Sequence, residues 1–534
     1  MTPKKILIVG SGVAAWMTAA RLSAVLNRDG RDFAAISVID CPDSKTDSTD
    51  TSTLPDIQQL LAALGVDQFE FMRRVQATFR QSTKFVNWSL NEGEHFHHPL
   101  TLERPGAVDQ AGRRWLMSNR AVPFANTVSM QPIICEMNLA PQMLGRWDFG
   151  RPLVHAFHVR TSLFEGYLKE LSLARGVVQH SGELGDVDVE DDGEIAVIHS
   201  SSGDALTADL FIDCSGSSAR LSGEKLGVSW VDCSQWLLCD AVTRMNVPYE
   251  LHYPGFVRPY TTASAQSAGW ISDVPLQNSR SLAYIHAGSL TRGDEAELEL
   301  RNFEGPHSQD LSCESDTFKV GHREKSWVGN CISIGQANNF VEPLASTDLH
   351  LIDFAAAMLA EHFPYGDDMK PLAFRYNRIM VNRFYEAVDF VNMHYALSRR
   401  TDSTFWQQVR EPGHINDRLQ AKLGYWKSKP PTRADFEDQF FPGQSDSPLP
   451  TAVLAGDNRH PVDTAGLWTH ENYEAVLFGM GFLNEECDAW YGIDRPDPGV
   501  LRHVLERVNV AQQKLPPHAI WLQRVVGMSD YPTI

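Results

Sequence analysis

The sequence predicts an α/β fold in three parts: a parallel-sheet module at the N-terminus, a β-sheet region inserted into it, and a helical C-terminal part. Three observations lead there. "KILIVG", "VAAWMTAARLSAVLNRDG" and "AAISVID" follow one another as apolar run, helix-spaced run and apolar run, a β-α-β unit. The stretch 183–213 alternates and carries Asp-Gly and Ser-Gly-Asp turn signals. Residues 349–425 then repeat apolar positions at helical spacing.

Each element has a local reason. "KILIVG" is a short β-branched run ended by glycine, which suits a buried parallel strand. The helix after it runs to Gly30, a C-terminal stop signal. Residues 41–56, "CPDSKTDSTDTSTLPD", read as a polar loop, and "IQQLLAALG" resumes a helix. "DLFIDCSG" and "CISIGQA" are two further strand-to-glycine transitions, at 209–216 and 331–337. "LIDFAAAMLAEHF" and "FYEAVDFVNMHYALSRR" read as amphipathic helices, and 426–462 as irregular. The expected division is 1–350, holding the module and its interleaved sheet, and 351–534, a mainly helical subdomain covering the substrate.

Composition excludes several classes. Of 534 residues, 43% are hydrophobic and 21% charged, as in globular proteins, and the length suits a large enzyme fold with a second layer. A net charge of −20 argues against nucleic acid or an anionic membrane as partner. The eight cysteines form no C-x-x-C pair, which suits a reduced, cytoplasmic protein without a zinc knuckle. Four apolar residues before Gly10 are too few for a signal-peptide core, and no run is long enough to span a bilayer. "HFHHP" clusters His95, His97 and His98, but no converging ligands accompany them, so no metal is expected. Without G-x-S-x-G, a hydrolase reading has no support.

The chemistry-bearing motif is Gly10-x-Gly12-x-x-Ala15 between strand and helix. The first glycine makes the turn, and the second admits a pyrophosphate. Val13 and Ala14 open the helix whose N–H groups face it, and Ala15 lets helix and strand pack closely. Asp40 ends the second strand, where a carboxylate accepts from an adenosine ribose. This is a Rossmann-type module. Alone it suits FAD or NAD; "DLFIDCSG" and "CISIGQA" resemble the distant strand–glycine segments with which flavoprotein monooxygenases close around FAD, and with no second such motif no separate nicotinamide domain is expected, so electrons for the flavin come from another protein.

"STKFVNW", "GWISDVPLQNSRSLAYIHA", "DLFIDCSG", "NNFVEPLAST", "AVDFVNMHYALSRRTDSTFW" and "NYEAVLFGMGF" occur in order. Together they resemble the flavin-dependent tryptophan halogenase family, from about residue 4 to about residue 485. The resemblance implies FAD reduced by a separate flavin reductase, a halide, and an aromatic substrate such as an indole or tryptophan. It implies hypohalous acid delivered to a lysine, matched here to Lys84. It assigns Gly335 and Gln336 to flavin closure, Thr347 and Asp348 to the halide, and His97 and Trp270 to the substrate. A homo-oligomer is compatible with it. Lys84 sits in an apolar run, where burial disfavours an ammonium.

Departures from the family pattern bear on function. Its W-x-W-x-I-P, a barrier against direct oxygenation of substrate, reads Trp270-Ile-Ser272-Asp-Val274-Pro275. Its E-P-L-E-S-T-G reads Glu342-Pro-Leu-Ala345-Ser-Thr347-Asp348, losing the second acid and the glycine. Its G-x-G-E-[A/S]-T-x-P reads Ser48-Thr-Asp50-Thr51-Ser52-Thr53-Leu-Pro55. Two alternatives therefore stand beside halogenation: a halide-independent flavin monooxygenase, and a non-catalytic paralogue. Asp348 either turns away from the halide position or projects into it.

Overall fold

The computed structural model describes residues 3–28, 30, 32–41, 49–90, 93–101, 111–118, 120–145, 153–249, 256–432, 435, 467–482 and 499–528. Most of the 426–462 segment, expected to be irregular, lies outside them.

An eight-stranded sheet carries the N-terminal module. Its parallel centre runs Val178–Val189, Ala34–Asp40, Lys4–Val9, Leu210–Asp213 and Cys331–Ser333. Two of these strands are the "DLFIDCSG" and "CISIGQA" segments, so three strand ends of distant sequence origin meet at one sheet edge. Ligands of open α/β sheets bind beyond such carboxyl ends. The 183–213 stretch forms the expected antiparallel flap: Val178–Val189 pairs with Ile195–Ser200. The helix Val13–Leu26 covers one face, with Trp16, Met17 and Leu22 in the core.

The inserted region is a seven-stranded sheet. Its order is Cys313–Thr317, Ala241–Pro248, Ser279–His286, Gly269–Pro275, Thr261–Ala265, Ser82–Val86 and His95–Pro99. Register fixes which side chains share a face, because alternate residues point opposite ways. One row reads Phe85, Ala263, Ser272, Ala283, Arg244 and Glu314. The next reads Lys84, Thr262, Asp273, Leu282, Met245 and Cys313, on the opposite face.

On the Phe85 face an aromatic core joins the sheet to the C-terminal helices. Phe85 stacks on Phe96 at 4.9 Å and on His394 at 4.7 Å, and Trp88 meets Trp406 edge-on at 5.5 Å. His394 lies on the 27-residue helix Lys370–Ala396. The polar loop expected at 41–56 is corrected at its end: Thr51–Ser52 is a short strand paired with Val159 and His158. The expected boundary at 350/351 falls inside the helix Asp348–Glu361, whose Leu349, Ile352 and Leu359 share a core with the Val13–Leu26 helix. That helix therefore packs as part of the N-terminal module.

Candidate active site

A cleft lies at the meeting of the strand ends. Gly12, Val13 and Ala14 wall one side, Gly335, Gln336 and Asp348 another, and Thr49 and Thr51 a third. The turn that opens it is sterically locked. Gly10 has φ +142°, and a Cβ there would lie 2.3 Å from the Cys214 carbonyl oxygen. Gly335 has φ +71°, and its Cβ would lie 2.9 Å from Ala14 Cβ. Ala15 is fully buried against the sheet, as the third small residue of the motif requires. The helix N-terminus offers its unpaired first-turn N–H groups to a pyrophosphate. These features fit FAD. Asp40 ends its strand as expected, with its carboxylate 3.3 Å from Gln179 Nε2.

The segment 342–348 closes the cleft. Thr347 caps the helix that begins at Asp348. Thr347 is fully buried, and its Oγ1 has no hydrogen-bond partner among the described residues. Asp348 projects inward: it lines the cleft and accepts from Thr51 Oγ1 at 3.2 Å. The carboxylate thus stands at a helix N-terminus, where a negative charge is favoured, and occupies ground an anion would use. Left-handed backbone occurs close by at Ser346, which has φ +58° and whose Oγ lies 2.7 Å from Ser52 Oγ. Ala345 is buried and contributes no acid.

The cleft shares Thr49, Thr51, Gln336, Phe340 and Asp348 with a larger chamber over the Phe85 face of the seven-stranded sheet. Val242, Ser272, Val274, Ala283 and Ile285 form its floor. Ser272 therefore leaves open space, and no neighbour fills it.

Two of the expected site residues, Lys84 and His97, lie on the sheet face opposite the chamber floor. Lys84 belongs to the row on the far face of that sheet, away from the chamber. Its ammonium is not in apolar surroundings: Nζ lies 2.6 Å from Glu136 Oε1 and 5.9 Å from the Tyr260 ring. His97 pairs with Lys84 across strands and lies on the same far face. Its Nε2–H donates to Glu136 at 2.8 Å, and Ser82 Oγ–H donates to its Nδ1 at 2.9 Å. The His97 hydrogen bond, then Lys84, holds the Glu136 carboxyl down at about 2. Trp270 is 1% exposed, donates to Glu342 and belongs to the aromatic core on the chamber face of the sheet.

A buried charged group that sequence reasoning missed is Arg80. It is fully buried, with Nη1 donating to Thr53 O and Nη2 to Thr83 Oγ1, each at 2.7 Å. Its Nε–H has no partner among the described residues. Burial pulls its pKa down to about 10 against the opposing pull of Asp348, so it stays cationic at neutral pH. His98, adjacent to His97 and so facing the other way, is buried against Phe390 and Trp468. Burial, then His394 and Arg80, pushes its pKa down to about 3. Arg80→Met should cost about 2–4 kcal/mol in urea unfolding, because it strips charged donors from two buried acceptors.

Glu342 was also missed. It is fully buried, accepts from Tyr395 Oη–H at 2.9 Å and Trp270 Nε1–H at 3.3 Å, and burial raises its pKa to about 7. The folded state thus binds a proton that the unfolded chain releases near its ordinary value. Stability should fall as pH rises from about 4.5 to about 7, then level off. Glu342→Gln should remove that slope in denaturant midpoints measured across pH, gaining about 3 kcal/mol at pH 8.

Among the described residues no helix is long and apolar enough to cross a membrane, and no three His, Cys, Asp or Glu side chains group as a metal site.

Residues 5–493 match the family model described as tryptophan halogenase. The chain is 28% identical over 499 residues to tryptophan 6-halogenase ThaL of Streptomyces albogriseolus, covering 90% of each. It is equally similar, with the same coverage, to tryptophan 7-halogenase RebH of Lentzea aerocolonigenes. The crystal structure of a tryptophan halogenase from Shewanella frigidimarina NCIMB 400 superposes with a TM-score of 0.86 at 25% identity, over 99% of both chains. Tar14, a tryptophan C-6 flavin-dependent halogenase (chlorinase) from taromycin biosynthesis, does so at 0.84 and 26%, over 98% of this chain and 99% of Tar14.

Proposed function

The chain belongs to the tryptophan halogenase family, and from that premise we propose that it is an FAD-dependent oxidoreductase of an aromatic substrate whose oxygen chemistry no longer requires halide. FAD, reduced by a separate flavin reductase, supplies the redox chemistry when bound. The chain's own residues position it. Gly12, Val13 and Ala14 present the helix end to the pyrophosphate, while Gly335 and Gln336 close over the other side.

The observation that carries the proposal is the open floor at Ser272, continuous with the cofactor cleft. A substrate there would lie beside Gln336 and Asp348, which also line the cleft that would hold FAD. A ring C–H becomes C–OH; O₂ gives one oxygen to the ring and one to water; NADH, through the reductase and FAD, supplies two electrons. Two features favour the loss of halide use: the Asp348 carboxylate at the helix end and the absence of an acid at Ala345.

One observation favours a second reading, halogenation by hypohalous acid steered by Lys84. It is the buried, unpartnered Thr347 Oγ1 at a helix N-terminus, a donor suited to an anion. That reading requires the oxidant to reach the far face of the sheet. Lys84→Ala separates the two. The first reading expects product formation within roughly twofold of the parent; the second expects it to vanish. The assay is turnover with reductase, FAD, NADH, oxygen and a panel of indoles, with products identified by mass. An FAD titration without saturable change would leave a non-catalytic paralogue.

A further inference from the structure

The chamber over the Phe85 face joins the cofactor cleft and continues beyond it. We propose that it holds the substrate itself, a ring compound carrying no anionic group, laid on the floor formed by Val242, Ser272, Ala283 and Ile285. This rests on the oxygenation reading and adds the class of substrate.

The space is the first argument. The chamber has a volume of about 1490 Å³ and opens into the cleft at the Gly12 turn. Small-molecule sites occupy roughly 300–1,000 Å³, so a second molecule fits beside the cofactor. The floor is the second argument. Four short side chains in the Ser272 and Ile285 rows leave a flat apolar surface on a rigid sheet, a seat for a ring system rather than for an extended polar chain.

Charge is the third argument. Asp50, Asp240, Glu314, Asp316 and Asp348 line the chamber, against Arg244, Lys319 and Arg323. The five carboxylates outnumber the three cations, and the two arginines are held in place by neutral acceptors. Arg244 Nε–H donates to Thr49 Oγ1. Arg323 donates to the carbonyls of Val228 and Ala337 and lies 5.3 Å over the Trp230 ring. Glu314 and Asp316 sit on the edge strand with their side chains on the chamber face, in register with Arg244 and Val242. The walls therefore repel a carboxylate, and the net charge of −20 adds to that field. An amine or an uncharged ring meets no such opposition.

The test is titration of the full chain, with and without FAD, using 3-methylindole, tryptamine and indole-3-propionate, followed by calorimetry. The first two should bind and compete with one another. The acid should bind at least tenfold more weakly. Ser272→Trp should weaken the first two at least tenfold by filling the floor. FAD affinity should stay within twofold, since the resembled family carries tryptophan there and binds FAD. Ala283→Leu, a smaller filling, should give a lesser loss in the same direction and stands in if the tryptophan variant fails to fold. Asp240→Asn with Asp316→Asn should narrow the gap between tryptamine and the acid. Three results would overturn the proposal: no binding of any probe, equal binding of the acid, or binding indifferent to both floor substitutions. Failure of FAD to bind would instead strike the oxygenation reading, because the probe titrations also run on the protein alone.

Discussion

Gly10→Ala should abolish FAD binding and destabilise the fold by about 3–6 kcal/mol, the sum of overpacking and left-handed backbone strain. The added Cβ would lie 2.3 Å from the Cys214 carbonyl oxygen and 2.7 Å from its carbon. Neither side can yield cheaply. Val9 and Asp213 are paired in the parallel sheet, and Cys214 N–H donates to Val9 O at 2.8 Å. Gly30 is the control. It has φ +74° but nothing within 4 Å of its Cβ position. Gly30→Ala should therefore cost only the left-handed penalty, about 1–2 kcal/mol, and leave FAD binding intact. Urea unfolding and flavin fluorescence measure both. Equal losses from the two substitutions would contradict the steric account of the turn.

Asp348→Gly should raise bromide affinity by up to about a thousandfold. A carboxylate about 4 Å from a halide costs about 4 kcal/mol at an effective dielectric near 20, and a thousandfold is about 4.1 kcal/mol. Asp348→Asn should give much of the same gain, since it removes the charge while keeping an acceptor for Thr51 Oγ1. The lost carboxylate also stabilises its helix end, so each variant should be less stable by about 0.3–1 kcal/mol. Bromide titration of the FAD-loaded protein reads the first effect. If bromide binding stays undetectable in both variants, repulsion is not the cause, and the altered loop at 48–51 becomes the better explanation. Restoring the acid with Ala345→Glu alongside Asp348→Gly should add nothing to bromide affinity in that case.

The cofactor turn was legible because its evidence is local. Spacing, strand context and small residues all lie within Lys4–Leu26, and the physics that uses them is backbone physics. The active-site faces were not. Lys84 and Arg80 are four residues apart, and a regular strand would point them the same way. The chain breaks step at Gln81, whose N–H donates to Pro259 O rather than continuing either neighbouring ladder. Arg80 then turns to Thr83 on the Phe85 face, while Lys84 turns to Glu136 on the other. A one-residue slip reverses a strand's facing, and only tertiary pairing reveals it. The resemblance assigns His97 to the substrate, and strand pairing puts it on the far face while its neighbour His98 faces the aromatic side. Glu342 was overlooked for a different reason. Its pKa is raised by burial, which outweighs the lowering hydrogen bonds of Tyr395, Trp270 and Cys239, three residues scattered along the chain. Ser272 was read well, because a small residue in place of a bulky one predicts space unless a neighbour fills it, and Ala283 opposite it does not.

The most direct test of the central claim is one turnover experiment: the full chain with flavin reductase, FAD, NADH, oxygen and neutral or amine-bearing indoles, run with and without bromide, with products resolved by mass. Halide-independent chemistry predicts a product heavier by one oxygen, formed equally with and without bromide, and lost in Ser272→Trp. A brominated product that appears only with bromide and disappears in Lys84→Ala would contradict it.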